Sequence, residues 1–194
     1  FSLMKEYIPL LAESGKQFLV LGNMNHITFK EIFHYFRENK MWLGYNSGHF
    51  WFKVPDYYEA KNTDYKQDED GQKWRRLGNI CWFTNMDIDI RHQFLDLYKH
   101  FSIQEYPEYD NYDAYFVKTV AEIPCDTDKP LAVPITFLSS FSPDQFELLD
   151  ANQFRKYDEV PVKSHGLIKD KDGTIKGKAT YARLLVRNRN PEKE

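Results

Sequence analysis

The sequence predicts an α/β fold, with half of an α/β sheet over residues 1–85 and a mixed α+β region over residues 86–194. Three observations predict it. Helical and extended patterns alternate through the first 85 residues. Gln17-Phe-Leu-Val-Leu21 is a short apolar run followed by Gly22, as in a strand buried on both faces of a parallel sheet. After residue 86 the alternation gives way to acidic and aromatic segments with isolated strand and turn signals.

Each element has its own signature. Leu3, Met4, Tyr7, Leu10 and Leu11 recur at helical spacing behind Ser2, with Pro9 inside the pattern and Gly15 as a stop. Thr28 and Glu31 form a capping-box pair ahead of Phe29, Ile32, Phe33 and Phe36, which share one helical face. Met41–Tyr45 and Phe50–Val54 are aromatic-rich extended segments around the turn-prone Asn46-Ser-Gly48, which predicts a β-hairpin. Residues 56–75 are polar and charged and read as an exposed loop, and residues 78–85 as a strand. Further on, a helix is expected over residues 90–101, loop over 105–128 and a strand over 131–138. Ser142-Pro-Asp-Gln145 reads as a helix start. Lys171-Asp-Gly-Thr174 reads as a hairpin turn before a strand from Ala179 to Val186.

The 194 residues are 42% hydrophobic and 16% aromatic, enough for one good core and too apolar for a disordered tail. No apolar run approaches the roughly 20 residues that cross a bilayer, so no membrane partner and a cytoplasmic location are expected. Cys81 and Cys125 show no zinc-ligand spacing and are expected to be buried thiols. The chain opens on Phe1 and runs directly into a helical pattern, which suggests a piece of a longer protein. Residues 163–194 hold nine Lys/Arg against four Asp/Glu, a balance of +5; since the whole chain is −3, the rest is −8. This asymmetry suits a protein that presents one basic face to phosphates, or one with a ragged basic end.

The usual catalytic constellations are absent: there is no HExxH, GxSxG, P-loop or GxGxxG. His26, His34, His49, His92, His100 and His165 are scattered. Asp110-Asn-Tyr-Asp113 lacks the alternating ligands of a calcium loop, and no metal is expected. The last strand carries the most suggestive local pattern. Ala182, Leu184 and Val186 alternate with Tyr181, Arg183, Leu185, Arg187 and Arg189, so one face can pack while the other carries guanidinium groups. With Lys169, Lys171, Lys176 and Lys178 this forms a candidate phosphate-contacting surface. An edge strand guarded by charge has the same pattern.

Several phrases in order along the chain resemble the EcoRI-type adenine-specific DNA methyltransferases. They are Phe1-Ser-Leu, Gly22-Asn-Met-Asn-His-Ile-Thr28, Asn39-Lys-Met-Trp-Leu-Gly-Tyr45, Trp82-Phe-Thr-Asn85, Tyr109-Asp-Asn-Tyr-Asp-Ala114, Val133-Pro-Ile-Thr-Phe137, Pro143-Asp-Gln-Phe146, and Gly177-Lys with Tyr181-Ala-Arg. The resemblance implies that residues 1–85 are the second half of a Rossmann-like methyltransferase sheet and that residues 86–194 are a DNA target-recognition region. It places Phe1 at the aromatic position of the catalytic Asn/Asp-Pro-Pro-aromatic turn, where the ring stacks on a flipped adenine; a Phe packing in the sheet is the other reading. It further implies S-adenosylmethionine as cofactor, bound by residues not in this chain, double-stranded DNA as partner, and a missing N-terminal half. The fragment alone is expected to be inactive. Trp42, Tyr45, Trp51 and Phe52 either border the DNA cleft or close the sheet. A non-enzymatic DNA-binding module and a protein-interaction domain remain as alternatives.

Overall fold

The computed structural model describes residues 3–59, 64–109, 113–151 and 183–193. Phe1, Asp110-Asn-Tyr112 and the Lys171 hairpin with Lys169, Lys171, Lys176 and Lys178 lie outside the described residues. The described elements are two helices, α1 (Met4–Glu13) and α2 (Lys30–Arg37), with nine strands and short 3₁₀ turns. This is a mixed α/β chain, and its strands fall into two sheets.

The first sheet is organised by one long strand. β5 (Lys73–Thr84) pairs antiparallel with β1 (Leu19–Asn23), β2 (Trp42–Leu43), β3 (Gly48–Lys53) and β4 (Tyr65–Gln67). β1 and β4 line one edge of β5, and β2 and β3 line the other, in the order fixed by the registers. This sheet differs from the sequence expectation at three points. β1 is not a parallel strand buried on both faces: its described partner is antiparallel β5, and Leu19 is 52% exposed. The aromatic segments do not form a hairpin with each other, because both find their hydrogen bonds on β5. Residues 56–75 are not all loop. Tyr65–Gln67 and Lys73 onward form strands joined by a tight turn, in which the Asp68 side chain accepts from the Gln72 N–H and Gly71 takes φ 81°.

α1 and α2 cover one face of this sheet. Phe83 of β5 is fully buried, meets Phe36 of α2 edge-on at 5.9 Å and lies against β1. Gly22 is required at that contact: a Cβ there would sit 2.6 Å from the Phe83 ring and 2.9 Å from Met4 Cε. The stripe that α1 buries is Met4 and Ile8, with Leu11 packed against the core. Leu3, Tyr7 and Leu10, expected to face inward, are 69%, 48% and 68% exposed.

The second sheet has the order β6 (Tyr115–Phe116), β7 (Leu131–Pro134), β9 (Arg183–Asn188), β8 (Phe146–Ala151). β9 lies between β7 and β8 and is buried on both faces, with Leu184 and Val186 in the main core and Leu185 in a second cluster with Tyr109, Ala114 and Ala132. α2 packs on β8, so one continuous core joins both sheets.

The segments before and within this sheet depart from expectation at three places. Residues 90–101 do not form a helix, because their backbone groups are taken by distant partners. Only Asp89–His92 make a 3₁₀ turn; the Gln145 side chain then bonds both the N–H and the C=O of Leu95, and Asp126 bonds the N–H of Phe101. Gln145 therefore caps no helix. Ser142–Gln145 is a turn leading straight into β8, closed by the Phe146 N–H donating to the Ser142 carbonyl. The strand expected to reach Leu138 stops at Pro134 and becomes a 3₁₀ turn over Ile135–Ser140.

Gly22→Ala should lower stability by about 1–3 kcal/mol, since Phe83 must move from a close-packed site. Urea denaturation showing no change in midpoint would refute the contact.

Candidate nucleic-acid interface

Three groups of polar and cationic residues stand outside the core. The first lies where β1 ends. Asn23 caps the 3₁₀ turn Met24–Thr28: its side chain accepts from the Asn25 N–H at 2.9 Å, and His26 Nδ1 accepts from the Asn23 N–H at 3.4 Å. From β5, Asn79, in the left-handed region at φ 60°, donates its amide to Asn25 Oδ1 at 2.9 Å. Burial lowers the His26 pKa, favouring the neutral ring.

The second group is a ribbon. From Lys73 to Asn79 β5 buries no side chain fully, whereas Ile80, Cys81, Phe83 and Thr84 are buried. The exposed half carries β3 on one side and β4 on the other. Cross-strand register puts Trp51 opposite Arg76, and Trp74 opposite both Lys53 and Lys66, so these five side chains share one face. Lys66 Nζ lies 4.6 Å from the Trp51 ring and 5.7 Å from Trp74, and Lys53 Nζ lies 5.4 Å from Trp74. Arg76 pairs with Asp64 at 2.7 Å, and Trp74 Nε1 donates to Asp68. Sequence reasoning missed Lys66 and Trp74 because residues 56–75 read as loop, and Lys53 and Arg76 because the residues they meet on that face, Trp74 and Asp64, come from this segment. The signal was Asp70-Gly71 between the short runs Tyr65-Lys-Gln67 and Lys73-Trp-Arg75.

The third group is the arginines of β9, which the structure separates. Arg183 is 9% exposed; its Nη1 donates to the Val117 carbonyl at 2.7 Å and its guanidinium lies 4.4 Å from the Phe116 ring. It joins β9 to the segment after β6 and does not face outward. Arg187 is exposed and 3.5 Å from Glu147, while Arg189 Nε donates to the Phe146 carbonyl. Trp42 is also engaged, with Nε1 on the Met86 carbonyl and Arg91 stacked 3.6 Å from its ring.

Both cysteines are buried, as expected, and burial pushes the Cys81 thiol up to about 12. Folding brings His100 Nδ1, Cys125 Sγ and an Asp126 oxygen within 4.8 Å of one another, a set with no signature in sequence spacing. These atoms already serve each other. His100 bonds Asp126 at 3.2 Å, and the other Asp126 oxygen accepts from the Phe101 N–H at 2.7 Å. Burial opposes ionisation of Asp126, but the Phe101 N–H and His100 outweigh it and hold the carboxyl below its ordinary range.

Among the described residues, no helix is long and apolar enough to cross a membrane.

A family model for the adenine-specific methyltransferase EcoRI matches residues 1–189. The chain belongs to this family. It is 40% identical over 197 residues to the type II methyltransferase M.EcoRI of Escherichia coli, covering all of this chain and 56% of that protein. Against the type II methyltransferase M.MpnI of Mycoplasma pneumoniae it is 36% identical over 200 residues, covering 97% of this chain and 62% of the relative. The chain thus spans about three-fifths of the length of the curated relatives it matches. No solved structure gave a significant match.

Two outcomes follow from these placements. Arg183→Ala should lose roughly 1–3 kcal/mol of stability, because a buried carbonyl loses its donor, while Arg187→Ala should change it by less than about 1 kcal/mol; equal melting temperatures for the two variants would contradict the assignment. Asp126, with its folded pKa below the unfolded value, stabilises the fold above about pH 4 and loses that contribution as pH falls through the folded pKa. Asp126→Asn should therefore lower the melting temperature at pH 7, with the difference narrowing in acid.

Proposed function

We propose that this chain is the C-terminal part of an enzyme that transfers a methyl group from S-adenosylmethionine to the exocyclic amine of adenine in a specific duplex site. Residues 1–85 supply the second half of a Rossmann-like sheet, and residues 86–194 supply mainly DNA recognition. The observation that carries the reading is the family match over residues 1–189. Two structural features support it. The edge of β1 away from β5 has no partner among the described residues, and α1 turns Leu3, Tyr7 and Leu10 outward. An open strand edge together with an apolar helix face suits docking of the remaining half of a sheet, which in this reading is the missing N-terminal half.

In this proposal the methyl donor is held by that other half, so no catalytic step is routed through the present residues. Phe1 would stack on the flipped adenine. Lys169, Lys171, Lys176, Lys178, Arg187 and Arg189 would contact phosphates, with Arg183 supporting the strand that carries Arg187 and leads to Arg189. The protein would act in the cytoplasm.

The complete protein should convert adenine in duplex DNA to its N-methyl form when supplied with S-adenosylmethionine, as read by mass spectrometry of the digested nucleosides, while residues 1–194 alone should give none. Product lacking methyladenine would end the enzymatic reading, and methylation by the isolated chain would end the division of labour. Leu10→Asp should leave the isolated chain's stability within about 0.5 kcal/mol and weaken its association with a separately expressed N-terminal half.

A further inference from the structure

We propose that the β3–β5–β4 ribbon is a DNA-backbone contact, with Lys53 and Lys66 seated on Trp51 and Trp74 as its phosphate-binding groups. The inference rests on the methyltransferase reading and adds a surface that the basic C-terminal segment does not include.

Register supplies the placement. β1 ends at Asn23, opposite Ile80, and the exposed half of β5 runs from Asn79 back to Lys73. The ribbon therefore extends past the carboxyl end of β1, the end at which open α/β sheets bind their ligands. The Asn23–Asn25–Asn79 amide cluster marks its root. A duplex bound at that end lies alongside the ribbon.

Charge and shape choose the occupant. On the face that carries Trp51 and Trp74, Asp64 is taken by Arg76, and Asp68 by Trp74 Nε1 and the Gln72 N–H. Lys53 rests on the Trp74 indole and Lys66 on those of Trp51 and Trp74, and Lys53 also adds to the field that favours the ionised Asp68 carboxylate. Cations resting on aromatic rings keep their ammonium groups available to a phosphate while losing less side-chain freedom on binding. On the opposite face, Lys73 is bonded to the Asp56 and Tyr58 carbonyls and Arg75 lies against Tyr58, so those cations hold the ribbon to the 55–58 turn. The tip, Asp68-Glu-Asp70, is acidic, which disfavours end-on insertion between phosphates and leaves the flat face as the contact.

The test is salt-dependent binding of a labelled duplex by the complete protein. Each phosphate contact contributes about 0.9 to the slope of log affinity against log salt, so Lys53→Ala with Lys66→Ala should reduce that slope by about 2 and weaken binding roughly tenfold or more near 0.1 M salt. Lys53→Arg with Lys66→Arg should restore the slope, and Lys40→Ala, at an ion pair with Glu38 remote from the ribbon, should keep the wild-type value. Thermal melting establishes that each variant is folded. If wild type binds DNA and the double alanine variant shows the same slope and affinity, the ribbon proposal is overturned and the methyltransferase reading stands. If wild type itself shows no salt-dependent duplex binding, the methyltransferase reading fails and the ribbon proposal fails with it.

Discussion

The hydrogen-bonding capacity of β5 is the constraint on which the rest of the first sheet depends. Twelve consecutive residues offer donors and acceptors to both sides, and four strands from separate parts of the chain satisfy them. None of the other four pairs with any other described strand, so each owes its place to β5. The same strand changes character along its length. From Ile80 to Thr84 it is mostly buried, with Phe83 closing on Phe36, Met4 and Gly22; from Lys73 to Asn79 it is a half-buried support for aromatics and cations. One strand thus couples the packed core to the surface proposed to meet DNA.

The two sheets are joined less by strand pairing than by side chains reaching across irregular segments. α2 lies between Phe83 of the first sheet and β8 of the second. Gln145 uses both ends of its amide to replace the strand partner that Leu95 lacks. Arg183 does the same for the carbonyl of Val117, and Asn188 for that of Cys125. Buried backbone groups must find partners, and where no ladder is available long polar side chains supply them. This explains why an arginine that looks like a phosphate ligand in the sequence is found inside: its guanidinium satisfies a carbonyl and stacks on Phe116 while its position in β9 is flanked by core residues on both sides.

What the sequence made legible follows from how local the determinants are. Both helices were readable because their periodicity lies within a dozen residues, although of the pattern Leu3, Met4, Tyr7, Leu10 and Leu11 on α1 only Met4 and Leu11 pack, with Ile8 the buried residue that the pattern omitted. Strand existence was legible at residues 78–85 and 131–134, and partnership was not, since alternation says nothing about which strand lies alongside. The helix expected over residues 90–101 failed because Gln145 and Asp126, remote in sequence, compete for its backbone. Of the candidate interface, the basic character of the C-terminal segment was visible as composition. The ribbon was hidden because Lys66 and Trp74 belong to a segment that reads as polar loop, so the neighbours of Lys53 and Arg76 emerge only with the pairing of β3 and β4 with β5.

β1 begins beside Thr84 and Asn85, whose side chains bond the backbone of Phe18 and Lys16, and it ends at the amide cluster around Asn23. Its direction is therefore fixed at both ends before any strand is added to its free edge. The outward residues of α1 and the exposed Leu19 lie along the elements that would border such an addition. In the proposed reading, strands added parallel to β1 would place their carboxyl ends at the ribbon root. An isolated aromatic ribbon could serve any partner; in the proposed reading, one tied by register to the carboxyl end of β1 is constrained to meet the substrate held at that end.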